Sequence, residues 1–128
     1  MHTITESHGH RVLTVADDVA LGGEDEAVDL IGLAFGEQAD VVAVPAELVD
    51  ERFYELRTRV AGDVVRKFAA YQIRLVVLGD LTGRLAASDS LRAFVYEANR
   101  GRDIWFLADR TELDERLRTA RETLGRSR

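Results

Sequence analysis

The sequence predicts an α/β domain: a single-layer, mostly parallel sheet of four to five strands flanked by four helices, in β-α-β-α-β-α-β-α order. Three observations predict it. Short β-branched or aromatic runs recur along the chain, each followed by a longer segment with apolar residues at steps of three and four. The run Ile73–Gly79 is apolar almost throughout, as a strand buried on both faces requires. Alternation of the two patterns demands helical crossovers between parallel strands, right-handed in nearly all cases.

Arg11–Ala16 reads as the first strand, with the polar segment 1–10 before it as a flexible start and the one source of an extra edge strand. After Gly22-Gly23, Ala27, Leu30, Ile31 and Ala34 mark a helix that stops at Gly36, its acidic first turn suiting the positive end of the helix dipole. Ala39–Val44 is the second strand, closed by Pro45, the only proline. Asp50 is placed to cap a long helix to Tyr71, carrying Phe53, Leu56, Val60, Val64, Phe68 and Tyr71 on one stripe. Gly62 inside it costs about 1 kcal/mol against Ala, which predicts close packing there. Ile73–Gly79 is the third strand. Ser88 caps a helix over Asp89–Arg100 that Gly101 ends, and Asp103–Ala108 is the fourth strand. Asp109 or Thr111 caps a last helix to about Leu124, Thr111 and Asp114 having capping-box spacing. One domain over 11–124, with a frayed end at 125–128, accounts for the chain.

Composition excludes several functions. With no cysteine there is no disulfide framework and no thiolate metal site. A net charge of −6 argues against a general nucleic-acid binder, because phosphate contacts dominate that affinity. The basic residues near the end, Arg116, Arg118, Arg121, Arg126 and Arg128, alternate with acids and read as a solvated helix face. No apolar run approaches the roughly 20 residues of a membrane span, and the opening residues lack the apolar core of a secretion signal. A cytoplasmic location is the expectation. No phosphate-binding glycine loop is present, so no cofactor is expected. His2, His8 and His10 precede the expected domain and are given no metal or catalytic role. Trp105 reads as core or dimer interface.

Several polar residues stand out. The strand exits carry Asp17 and Asp18, Glu47, Asp80 and Asp109, which at the carboxyl edge of a parallel sheet would make a metal or general-base site, or else only loops and caps. Lys67 lies within about 40° of Tyr71 on the stripe of the long helix, with Arg57 nearer its start; an inward lysine would face a carboxylate or an anionic ligand, whereas a snorkelling one would only cover apolar surface. Glu97 sits in the last turn of its helix, where the dipole opposes it, and pairs either with a neighbouring arginine or, alternatively, with Lys67 or a partner.

Phe53-Tyr54-x-Leu56, Ala61-Gly62, Lys67-Phe68-x-x-Tyr71, Gly79-Asp80 and Ser88-x-x-Leu91-Arg92-x-Phe94-x-x-Glu97-x-Asn99-x-Gly101 together resemble an uncharacterised bacterial family, domain of unknown function 4180, over about 11–110. The resemblance implies no activity, but it marks Lys67, Tyr71, Asp80, Glu97 and Asn99 as matching family positions. More distantly, the element order is similar to that of the sulfate-transporter and anti-sigma-antagonist (STAS) fold, whose domains bind partner kinases and are often switched by phosphorylation of a serine. Here Asp50-Glu51-Arg52 stands at the comparable helix start, without a hydroxyl.

The leading expectation is therefore a non-enzymatic regulatory or protein-interaction domain, docking through Asp50–Tyr54 and the Asp80–Ser88 loop and open to homodimerisation. The alternative is a small-molecule-binding protein or enzyme with Asp80, Lys67, Tyr71, Glu97 and Asn99 around a pocket at the carboxyl edge of the sheet.

Overall fold

The computed structural model describes residues 2–16 and 21–126. The sheet is mixed and five-stranded, in the order β1-β2-β3-β4-β5. Strands β1 (His2–Ser7) and β2 (His10–Val15) form an antiparallel hairpin. Strands β3 (Val41–Pro45), β4 (Arg74–Leu78) and β5 (Ile104–Leu107) then add in parallel. The helices are α1 (Glu24–Gly36), α2 (Glu51–Tyr54), α3 (Val60–Ala70), α4 (Thr82–Ala87), α5 (Asp89–Arg100) and α6 (Arg110–Arg126). The expected four helices are thus six. Asp17, Asp18 and the last two residues lie outside the described residues.

The first residues are ordered into structure from His2 on. They supply β1 and a two-residue turn in which His8 and Gly9 take φ values of 50° and 86°, the double positive φ that a tight hairpin demands. Ser7 Oγ donates to Asp114 Oδ1 at 2.7 Å and ties the hairpin to α6. The histidines are therefore part of the fold: His2 bonds Glu37 and His10 bonds Asp40, each at 2.7 Å.

The expected long helix from Asp50 to Tyr71 is broken. Asp50 does cap its start, accepting from Arg52 N at 2.9 Å. A 3-10 turn at Leu56–Thr58 then ends in Arg59 with φ 66°, and α3 begins afresh. Thr58 provides the reason: its hydroxyl donates to the carbonyls of Arg52 and Glu55 at 2.6 and 2.7 Å and accepts from Val60 N at 3.3 Å, replacing helical hydrogen bonds. The break lets both Phe53 and Phe68 reach the core. It also turns Arg57 out to solvent beside Glu55. Gly62 has no close neighbour; an added Cβ would meet only the end of Arg66 at 3.9 Å, so the expected close packing is absent. Ser88 caps α5 as read from the sequence, accepting from Leu91 N at 3.1 Å. Asp109 caps α6, accepting from Glu112 N at 3.0 Å, while Asp114 serves Ser7 and Arg110.

A sheet in unbroken sequential order with right-handed crossovers places every crossover helix on one face. Accordingly Ala27, Leu30, Ile31 and Ala34 of α1, Val64 and Phe68 of α3, and Leu91 and Val95 of α5 share one core with Leu13, Val42, Leu75, Val77 and Phe106. The other face, with Val41, Ala43, Val76 and Trp105, packs on Leu113 and Leu117 of α6. The order never reverses, so the sheet has no topological switch point, the feature that opens a ligand crevice at the carboxyl ends of such strands.

Candidate functional site

At the carboxyl edge, β3 and β4 end almost in contact. A Cβ on Gly79 would lie 2.6 Å from Ala46 Cβ, so only glycine fits there. Asp80 follows and closes a turn: its Oδ1 accepts from Thr82 N at 2.9 Å and from the Thr82 hydroxyl at 2.6 Å. These bonds, the hydroxyl first, hold its pKa below the usual carboxylate value. A carboxylate so engaged starts α4, an element the sequence did not announce. Arg84 of α4 bonds both carboxylate oxygens of Glu51, at 2.7 and 2.5 Å, and lies 4.1 Å above the Tyr54 ring. Tyr54 donates to Ala46 O at 2.8 Å, and burial pushes its pKa up to about 12. The two segments expected to form a docking surface, Asp50–Tyr54 and Asp80–Ser88, are thus brought together. Among the described residues, no three His, Cys, Asp or Glu side chains gather to hold a metal ion.

Asn99 has a structural task. In β5, Asp103 O and Leu107 O accept from Leu75 N and Gly79 N, so the backbone groups of Phe106 point away from β4 to the open edge. Asn99 meets both: its Oδ1 accepts from Phe106 N at 2.7 Å and its Nδ2 donates to Phe106 O at 3.1 Å. The side-chain amide stands in for a sixth strand and closes the edge at that residue. Beside it is a pocket of about 270 Å3 between Asp80, Leu85, Asn99 and Phe106. The three polar side chains that line it are already engaged, Asp80 and Thr82 with each other and Asn99 with the backbone of Phe106.

The other marked residues lie elsewhere. Tyr71 precedes β4 and Asp80 follows it, so the two are at opposite ends of that strand. Glu97 is 73% exposed and has Arg100 at 3.8 Å, not Lys67. Lys67 is half-buried on α3 with no carboxylate in ion-pair range among the described residues. The expected pocket joining Asp80, Lys67 and Glu97 is therefore not formed. Instead Tyr71, just past the end of α3, borders the outer face of α1 and packs edge-on to Phe35 with ring centres 5.8 Å apart. Phe35 and Tyr71 are 55% and 50% exposed, Val28 one helical repeat away is 47% exposed, and Gly32 lies between with nothing within 4 Å of where its Cβ would be.

The larger cleft, about 530 Å3, is at the amino edge of the sheet. His10, Asp40, Gln72, Arg74, Arg102 and Asp103 line it, all at or just before strand starts. Asp40 Oδ1 accepts from Arg11 N at 2.7 Å, and its Oδ2 accepts from His10 Nδ1 at 2.7 Å. That fixes the tautomer and leaves Nε2 unpartnered among the described residues. Arg74 lies 4.2 Å over the Trp105 ring, and its Nε donates to Arg102 O at 2.7 Å. Burial first, then the nearby Arg102, lowers its pKa, with Asp40 and Asp103 opposing. Sequence reading missed this cleft because His10 was placed outside the fold and Arg74 reads as one charge in an apolar strand.

The family model described as Domain of unknown function (DUF4180) matches residues 7–117, nearly the whole described chain. The chain belongs to the DUF4180 family. The match begins within the β1–β2 hairpin and ends in α6, so both layers of this DUF4180 domain fall inside it. No curated protein and no solved structure matches the chain. No helix among the described residues is long and apolar enough to cross a membrane.

Proposed function

We propose that this DUF4180 domain is a non-enzymatic protein-interaction module that docks a partner on the outer face of α1 and the adjoining end of α3. The observation that carries the reading is the exposure of Val28, Phe35 and Tyr71 around Gly32, outside both cores. Large apolar groups gathered on a helix face mark a protein contact far better than scattered ones do. Gly32 adds to this: it costs about 1 kcal/mol against Ala in a helix interior, and among the described residues no group packs on it in return. A partner element approaching closely would repay that cost. Aromatic anchors such as Phe35 and Tyr71 suit a protein interface. The element order, a hairpin followed by strand-helix repeats, keeps the likeness to STAS domains as support at the level of fold analogy alone. With Asp50 capping α2 and Glu51 held by Arg84, the reading includes no phosphoswitch there.

The partner is either a second copy, the commonest arrangement, or a different cytoplasmic protein. The test is to size the protein in extract of its own host. The wild type is expected in a complex larger than the 14.3 kDa monomer, and Phe35→Glu should return it to monomer size. The same substitution should shift unfolding by less than about 1 kcal/mol, because Phe35 is half exposed. A wild type and variant of equal size would refute the reading.

A further inference from the structure

We propose that the cleft at the amino edge of the sheet binds a small polar molecule carrying an oxyanion, phosphate or carboxylate, held by Arg74, Arg102 and His10. This inference is independent of the docking face on α1.

The placing of the arginines alone does not require a ligand. Helices α1, α3 and α5 all end at this edge, and cations offset the negative ends of their dipoles. What the fold leaves unused is more specific. Arg74 spends only Nε, on Arg102 O; its terminal nitrogens have no acceptor among the described residues, although the side chain is half-buried and lies 4.2 Å over the Trp105 ring. Arg102 makes no ion pair among the described residues, so two guanidinium groups adjoin without a carboxylate bound to either. An arginine fork fixed in position is the group that best matches a planar or tetrahedral oxyanion. His10 is oriented through Nδ1 by Asp40, with Nε2 left to donate or accept. Open space of about 530 Å3 adjoins all three, within the usual range for a small-molecule site.

The same surroundings limit the ligand. Asp103 lines the cleft, Asp40 stands behind His10, and the three helix ends add negative potential. A bare anion would be opposed from that side. The ligand must therefore also present hydroxyl or ammonium donors, facing Asp103 and the amide of Gln72.

Trp105 is the only tryptophan, and Arg74 rests on it, so its fluorescence reports on the cleft. The probes are glycerol 3-phosphate and glycerate, with potassium chloride as the ionic-strength control. The proposal expects a saturable change with at least one of the two probes, the responding probe distinguishing phosphate from carboxylate. Arg102→Gln and His10→Gln should each weaken that response at least about tenfold, with thermal unfolding showing both variants folded. Arg102 serves as the main variant because Arg74→Gln would also remove the packing on Trp105. No saturation with either probe in the millimolar range, or equal titrations in wild type and Arg102→Gln, would overturn the proposal.

Discussion

Gly79→Ala should lower the unfolding free energy by about 3–5 kcal/mol, the sum of overpacking and backbone strain. The new Cβ would sit 2.6 Å from Ala46 Cβ, with Ala46 N at 3.5 Å and its Cα at 3.7 Å. None of these atoms ends a flexible side chain, so the backbone itself must move. Gly79 also has φ +156°, which side chains rarely adopt. Moving it separates the ends of β3 and β4, and the Asp80 turn and α4 depend on them. Ala46→Gly in the same background removes the clashing methyl and should restore part of the loss, a coupling measurable by a double-mutant cycle in urea. If Gly79→Ala lost under about 1 kcal/mol, the close approach of the two strands would be wrong.

Asn99→Ala should cost about 2–4 kcal/mol, because it leaves both backbone groups of Phe106 without partners at a part-buried edge. Asn99→Asp should fail comparably at neutral pH: a carboxylate still accepts from Phe106 N but cannot donate to Phe106 O. Calorimetric unfolding of the three proteins checks both expectations. Stability unchanged in Asn99→Ala would mean that Asn99 belongs to a site and not to the sheet edge. The same measurement therefore separates the structural role argued here from the pocket role suggested by its position in the family pattern.

Much of the fold was legible because it rests on local patterns. The parallel strands are apolar runs, the helices after them carry steps of three and four, and Ser88 and Asp50 announce their caps. The hairpin was not legible because His8 takes the turn position where Asn or Asp would signal it, and the alternation of Thr3, Ile4 and Thr5 is short. The break in the expected long helix was hidden because the apolar spacing continues across it: Phe53 and Phe68 face one core although Arg59 has turned the chain between them. Thr58 was the only local hint, a residue whose hydroxyl competes for backbone carbonyls.

The polar residues marked from the sequence do not gather into one site. Lys67, Tyr71, Asp80, Glu97 and Asn99 fall at both ends of the sheet and on two helices, and helical spacing cannot say which end of a strand a residue adjoins. Asp80 and Asn99 answer to backbone hydrogen bonding. Tyr71 answers to the outer face of α1, where Phe35 and Val28 are exposed. Their apolar character alone would have assigned them to a core.

The proposed docking of a partner on this α1 face is open to direct test. The direct measurement is in-cell photo-crosslinking with the crosslinking residue at Gly32, where the added side chain has open space. The control is the same residue at the exposed Ala93 of α5. The account predicts one discrete adduct from position 32, to a second copy or to a single other protein, absent from position 93 and lost on adding Phe35→Glu. No adduct at position 32, or the same diffuse products from both positions, would contradict it.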